Sequence, residues 1–284
     1  MKSLIVNADD FGMTAGINRA VIEAHTRGIL TSTTLMANMP AFEDAVRLAK
    51  EHTALGVGLH FNITQGIPVA EPSQVSSLLN ERGEFLGTST QLLRRYVTGK
   101  LKRPEVEIEL RAQIEKVLKA GLRLTHVDSH KHAHALSPVC EVIANTIGDY
   151  GVRAMRTPRE HGRFVGLNAP AKLMAQSVTA FALAQLCRRS ESMLHRFGVK
   201  TATAFFGITH TGFWTKQWLL RLLESLPDGF SELMTHPGYV DRDLYQAQTR
   251  LQVSRQQELS ILIDADVIRA VAEFNIRLTH FAHL

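Results

Sequence analysis

The stretch Ser3–Asp10, SLIVNADD, is an apolar, β-branched run that ends in two adjacent acids. It is followed by Phe11-Gly12 and a helix-type segment from Thr14, so it reads as a buried strand carrying its polar side chains at the carboxyl end. The same form recurs along the chain: ILTSTTLMAN, LGVGLH, LRLTHVD, VRAMR, TATAFFG, FSELMTH and IRLTHFAHL. Helix-period segments lie between these runs. PAFEDAVRLA places Phe42, Ala45, Val46 and Ala49 on one helical face. RPEVEIELRAQIEKVLKAG opens with Pro104, closes with Gly121 and carries the stripe Val106, Leu110, Ile114, Val117 and Leu118. Alternating strands and helices imply βα units. Seven or eight of them over 284 residues fit an α/β fold, a distorted (β/α) TIM-like barrel of parallel strands, better than an open doubly wound sheet. No internal repeat or linker divides the chain, so residues 1–284 read as a single domain, with long loop excursions near 64–100 and 157–198.

A composition of 45% hydrophobic and 21% charged residues is that of a soluble globule with a sizeable core. The net charge of +5 is local: residues 151–200 hold nine Lys/Arg against Glu160 and Glu191, which gives +7 there and a slightly acidic remainder. Such a window is either a solvated surface or a binding surface for acidic or membrane-associated material. No nucleic-acid motif or aromatic interleaving accompanies it, and no nucleic-acid partner is expected. Cys140 and Cys187 lie far apart without metal-type spacing, which excludes a disulfide framework and fits a reducing cytosol. The apolar run Leu4–Val6 is too short for a signal-peptide core, so a cytoplasmic location is expected and the Asn62-Ile63-Thr64 sequon is incidental.

In parallel α/β folds, residues at the carboxyl ends of strands converge on one crevice. Four of the runs end in acids or imidazoles: Asp9 and Asp10; His60; His126, Asp128 and His130; Glu232 and His236. Taken singly, each has an ordinary reading as a helix cap, a hydrogen-bonded core histidine or a polar loop. Jointly they point to a divalent-cation site, because imidazole nitrogen with carboxylate oxygen suits such ions. Adjacent aspartates allow a division of labour, in which one binds the cation and its neighbour accepts the proton of an attacking water. Hydrolysis is the natural reaction class. A metal phosphoesterase and a non-catalytic sugar- or lipid-binding barrel remain as alternatives.

The motifs NADDFG, GLHFNITQG, HVDSHKHAH and ELMTHPGYVD, with the late pattern through Tyr245, Arg255 and Glu258, resemble the YdjC-like carbohydrate deacetylase family over nearly the whole chain. The resemblance implies a distorted barrel that removes acetyl groups from N-acetylated sugars such as chito-oligosaccharides with one divalent metal ion. Magnesium or zinc heads the candidates, with manganese, nickel or cobalt behind. Carried over, Asp10, His60 and His130 become the metal ligands, Asp9 the general base and His236 the proton donor to the leaving amine. His126, Asp128, His132 and Glu232 become groups that bind substrate or orient ligands, and His134 a loop residue. TSTTLMANMPAFEDAVRLA and ITQGIPVAEPSQVSSLL look most like the hopanoid-biosynthesis-associated members, which implies an N-acetylglucosaminyl hopanoid glycolipid as substrate.

Residues 169–189, APAKLMAQSVTAFALAQLCRR, are apolar over most of the helical circumference, yet too interrupted to span a bilayer. Met174, Val178, Phe181 and Ala182 have core-type spacing, which reads as a buried helix or a homodimer-packing helix. The second reading is a peripheral contact with the inner membrane face, with Arg188, Arg189, Arg196 and Lys200 near anionic headgroups.

Overall fold

Strand β1 (Lys2–Phe11) is buried from its second residue onward, as its continuous apolar run requires of a strand covered on both faces. The chain is described by a computed structural model over residues 1–160, 171–247 and 249–284. After β1 come α1 (Ala15–Arg27), β2 (Ser32–Leu35), α2 (Phe42–Glu51), β3 (Gly56–Phe61), α3 (Ser89–Val97), α4 (Arg103–Lys119), β4 (Val127–Ser129) and α5 (Ser137–Thr146). The second half adds α6 (Ala171–Arg196), β5 (Ala204–Phe206), α7 (Lys216–Glu224), β6 (Gly229–Thr235), α8 (Arg242–Gln246), α9 (Val253–Leu262), α10 (Ala265–Glu273) and β7 (Arg277–Thr279).

Every strand pair is parallel, in the order β4-β3-β2-β1-β6-β5. One edge of β1 pairs with β6 along Lys2–Ala8, and the other is shared between β7, against Ser3–Ile5, and β2, beginning at Asn7. The sheet curls. Isolated parallel bridges Val127↔Met155 and Glu160↔Phe205 carry the extended segment 154–160 from β4 across to β5, giving the distorted TIM-like barrel. The run VRAMR therefore contributes a bridging segment and not a regular strand. Its irregularity has a counterpart in Glu160, whose carboxylate accepts the backbone N–H groups of Gly207 and Thr209 where a ladder would otherwise continue.

The helices cover the sheet with the faces their spacing predicts. α2 buries Phe42, Ala45, Val46 and Ala49, and α4 buries Val106, Leu110, Ile114 and Val117. α4 begins with Pro104 in its first turn, and Gly121 just beyond its end takes the left-handed φ of 82° that favours glycine there. α4 also buries three polar side chains, Glu105, Glu109 and Gln113, at four-residue spacing. They hold the excursion after β3. Glu109 accepts the N–H groups of Val69 and Ala70 at 2.9 Å each, Glu105 accepts that of Ser77 at 2.6 Å, and Gln113 bridges the backbone N–H and C=O of Asn62.

The long helix α6 departs from its expected burial. Its inner face is made of small and polar residues, among them Ala180, Ala184, Cys187 and Ser190, whereas Met174, Val178, Phe181 and Ala182 all point outward. The spacing was that of a packed stripe, but the barrel accepts the narrower side of the helix, which allows closer approach.

Replacing Glu109 by alanine removes the acceptor of two backbone N–H groups and is expected to lower the unfolding free energy by about 2–4 kcal/mol. Urea denaturation reads this as a lower midpoint; an unchanged midpoint would mean that the excursion after β3 does not depend on this carboxylate.

Candidate metal centre

Adjacent residues on a strand normally point to opposite faces, so Asp9 and Asp10 need a device to serve one cleft. β1 provides it. Between Ala8 and Phe11 the β1–β2 register slips, three steps on β1 passing two on β2, from Thr33 to Leu35. This is a β-bulge, and within it Asp10 has a left-handed φ of 68°, a conformation that aspartate tolerates better than most residues. Asn18 fixes the following turn by accepting the Gly12 N–H at 2.7 Å and donating to Ala41 and Asp44.

The bulge aims Asp10 at His60, from the end of β3, and at His130, just past β4. Asp10 Oδ1 lies 3.5 Å from His60 Nε2 and 3.2 Å from His130 Nδ1, and the two imidazole nitrogens are 3.4 Å apart. Donors at about 2.0–2.1 Å from a tetrahedral cation are separated by about 3.3–3.4 Å, so this triangle has the size a bound ion requires. All three residues are buried and could hold a metal ion together. After His130 the backbone makes two successive left-handed residues, Lys131 (φ 55°) and His132 (φ 53°), strain of the kind that collects at functional sites.

Each donor is held from behind. His60 Nδ1 is 2.6 Å from Asp128 Oδ1, which fixes the ring and turns Nε2 toward the triangle. Thr34 donates to the other oxygen of Asp128 at 3.1 Å. Arg255, from α9, donates to Asp10 Oδ2 at 2.5 Å and leaves Oδ1 to face the histidines. Asp9, His60 and Asp128 also lie close enough to share an ion. That set is already occupied by its own hydrogen bonds and by a guanidinium.

The guanidinium is that of Arg156, fully buried in the segment between β4 and β5. Its Nη1 and Nη2 donate to the two oxygens of Asp9 at 2.7 Å each, Nη1 also reaches Asp128 Oδ2 at 2.6 Å, and Nε donates to Glu232 Oε1 at 2.6 Å. Asp9 is thus not a free carboxylate beside the triangle; it is clamped. Burial alone would raise its pKa, but the charge and hydrogen bonds of Arg156 hold it well below the usual carboxylate range. Glu232, whose Oε2 has no hydrogen-bond partner among the described residues, is instead pushed up to about 7 by burial, against the opposing pull of Arg156.

Three buried aspartates, Asp9, Asp10 and Asp128, face two buried guanidiniums, Arg156 and Arg255, and two further buried carboxyl groups, Glu232 and Glu258, are pushed up to about 7 by burial. The pocket therefore favours additional positive charge. His60 registers this, since burial disfavours its imidazolium while Asp128, Asp9 and Asp10 raise its pKa to about 9. A divalent cation in the triangle answers the same surplus.

The other histidines divide. His236 Nε2 lies 3.9 Å from Asp9 Oδ2, and burial lowers its pKa to about 4 although Asp9 and Asp10 oppose this. Its backbone N–H donates to Glu258 at 2.6 Å. His132 is half-buried near Asp9 and His236, its buried Nδ1 without a hydrogen-bond partner among the described residues and its pKa lowered to about 3 by desolvation and by Arg156. His126 points into the barrel one pleat behind Asp128, where it stacks on Phe281 at 3.7 Å, a packing role and not a cleft position. His134 is tied to Ser129 at 2.5 Å. Arg156 was absent from the sequence-based set. Its signal in the sequence is its place as the arginine that ends the run VRAMR, a strand-end position like those of the acids and imidazoles.

Comparison with known proteins follows the same motifs. The family model described as "YdjC-like protein" matches residues 3–273. A protein of Thermoanaerobacter pseudethanolicus named carbohydrate deacetylase is 32% identical over 287 residues, covering 100% of both chains. A Geobacillus stearothermophilus protein of the same name is 35% identical, covering 96% of this chain and 94% of that one. The crystal structure of an Enterococcus faecalis V583 protein proposed for cellobiose-phosphate cleavage is 27% identical, with a TM-score of 0.78 over 99% of this chain and 98% of that one. On the strength of a family match that runs almost from end to end, with the acid- and histidine-bearing strand ends inside it, the chain belongs to the YdjC-like family.

Proposed function

We propose that this chain, acting as one unit over residues 1–284, hydrolyses the N-acetyl amide of an N-acetylated amino sugar and releases acetate and a free amine. The observation that carries the reading is the donor triangle of Asp10, His60 and His130 with Asp9 beside it. The relatives named carbohydrate deacetylase supply the substrate class. A divalent cation held by the triangle would polarise the amide carbonyl and the attacking water. Zinc or magnesium are the first candidates, and the near-tetrahedral spacing of nitrogen and oxygen donors favours zinc.

The chain's own groups handle the proton. Arg156 keeps Asp9 ionised at neutral pH and fixes its orientation, so Asp9 enters the reaction as an acceptor. The same clamp makes it a weaker base than a free carboxylate, a cost that placement next to the attacking water offsets. His236 is neutral at neutral pH and 3.9 Å from Asp9, so it is the next carrier of that proton toward the leaving nitrogen. Asp128 orients His60, Glu232 anchors Arg156, and His132 lines the cleft as a substrate contact.

For the substrate itself, the reading is an N-acetylglucosaminyl hopanoid glycolipid, with a chito-oligosaccharide as the second choice. Its support is the likeness of residues 31–49 and 63–79 to the hopanoid-associated branch of the family.

Acetate release from N-acetylglucosaminyl substrates is expected to vanish on chelation and return with a single added divalent metal. Asp10→Ala and His130→Ala should each reduce turnover by at least about 10³-fold, with metal content lost in parallel. Asp9→Asn should reduce kcat by about 10²–10⁴-fold with metal content kept. Full turnover in Asp9→Asn removes its base role, and phosphate release from sugar phosphates without any acetate release from acetylated sugars would favour phosphoester hydrolysis instead. Arg156→Lys keeps the charge but loses the fork, so kcat should fall while cation affinity changes little.

A further inference from the structure

Exposed large apolar side chains are ordinary when scattered and informative when gathered. In this protein several gather at one end. Met174, Val178 and Phe181, on the first three turns of α6, are 42%, 69% and 61% exposed. α6 leads into the amino end of β5, so in a parallel sheet those turns lie at the carboxyl end, where the candidate metal centre is. A hydrogen bond agrees: Gln176 donates to the carbonyl of Thr211, in the segment that follows β5, at 2.9 Å. The inner face of the same turns packs Ala180 with Phe205, Ile208 and Met234, and Met234 lies two residues before His236. Phe213 and Tyr245, in segments that follow β5 and β6, are exposed at that end as well.

The outward stripe continues down the helix in steps of three and four residues through Gln185 to Arg188, Arg189 and Arg196, all three arginines exposed. Neither they nor Lys172 form an ion pair with an acid among the described residues. The only acid on α6, Glu191, is engaged by Arg159. Apolar at one end and cationic at the other, the stripe is complementary to a layer that offers hydrocarbon below anionic headgroups. A second copy of the chain would set arginines against arginines if the stripe packed on itself in parallel, and arginines against Val178 and Phe181 if antiparallel. No helix among the described residues is long and apolar enough to cross a membrane, which restricts the contact to the surface.

We propose that the outward face of α6 docks the protein on an anionic lipid surface, inserting Met174, Val178 and Phe181 beside the mouth of the site. The inference deepens the proposed function by naming where a lipid-linked acetylated sugar is met. The aglycone stays in the lipid layer while the sugar reaches the cleft a few residues away.

The test is sedimentation of the whole protein with phosphatidylglycerol vesicles and with phosphatidylcholine vesicles, alongside acetate release from a soluble chito-oligosaccharide. Binding to the anionic vesicles, weakened by salt, is expected for the unaltered chain. Val178→Glu with Phe181→Glu should lower it about ten-fold, and Arg188→Gln with Arg189→Gln should also lower it about ten-fold. Both variants should leave acetate release from the soluble sugar unchanged. Absence of binding to phosphatidylglycerol, binding undiminished in both variants, or a change of oligomeric state in lipid-free sedimentation velocity caused by the Val178/Phe181 pair would overturn the docking. Loss of acetate release in the unaltered chain would instead strike the deacetylase reading alone.

Discussion

One buried guanidinium holds the centre of this structure together. Arg156 is fully buried and directs its donors to Asp9 from β1, Asp128 from β4 and Glu232 from β6. Three carboxylates in so small a volume would repel one another and neutralise by taking up protons, so the barrel interior depends on this one cation remaining in place. The consequence reaches the cleft directly. Asp128, once held by Arg156, orients His60; Asp9, once held, stays ionised.

The arginine also accounts for the distortion of the barrel. Its backbone sits where the parallel path passes from β4 to β5 through isolated bridges, and its N–H donates to the carbonyl of Val127 at 3.1 Å. A regular strand there would alternate side chains in and out on a fixed register. The irregular segment lets a long side chain cross the interior toward β1. Charge compensation and sheet irregularity thus belong to one feature, and the bulge at Asp9-Asp10 is its counterpart across the barrel. Both places give up ladder hydrogen bonds to aim side chains at one point.

Much of this was legible in the sequence, for identifiable reasons. Apolar runs with period-breaking polar ends carry their own position in a parallel sheet, so the sequence alone brings Asp10, His60 and His130 to one end. Features that depend on distant partners were not legible. The fate of His126 is set by Phe281, at the far end of the chain, which turns a cleft candidate into a stacked core ring. The clamp on Asp9 is set by an arginine whose local context is an ordinary run. Arg255 and Glu258 lie three residues apart on α9 and both reach the site, yet helical spacing alone gives no sign of it. The outward face of α6 shows the converse limit, because apolar periodicity records which residues share a face and not whether that face meets protein.

The central claim is that Asp10, His60 and His130 share one cation. Anomalous diffraction from crystals equilibrated with zinc tests it most directly. A peak about 2.0–2.1 Å from Asp10 Oδ1, His60 Nε2 and His130 Nδ1 is the predicted result. A peak bound by other residues, or none at this triangle at saturating zinc, would contradict it.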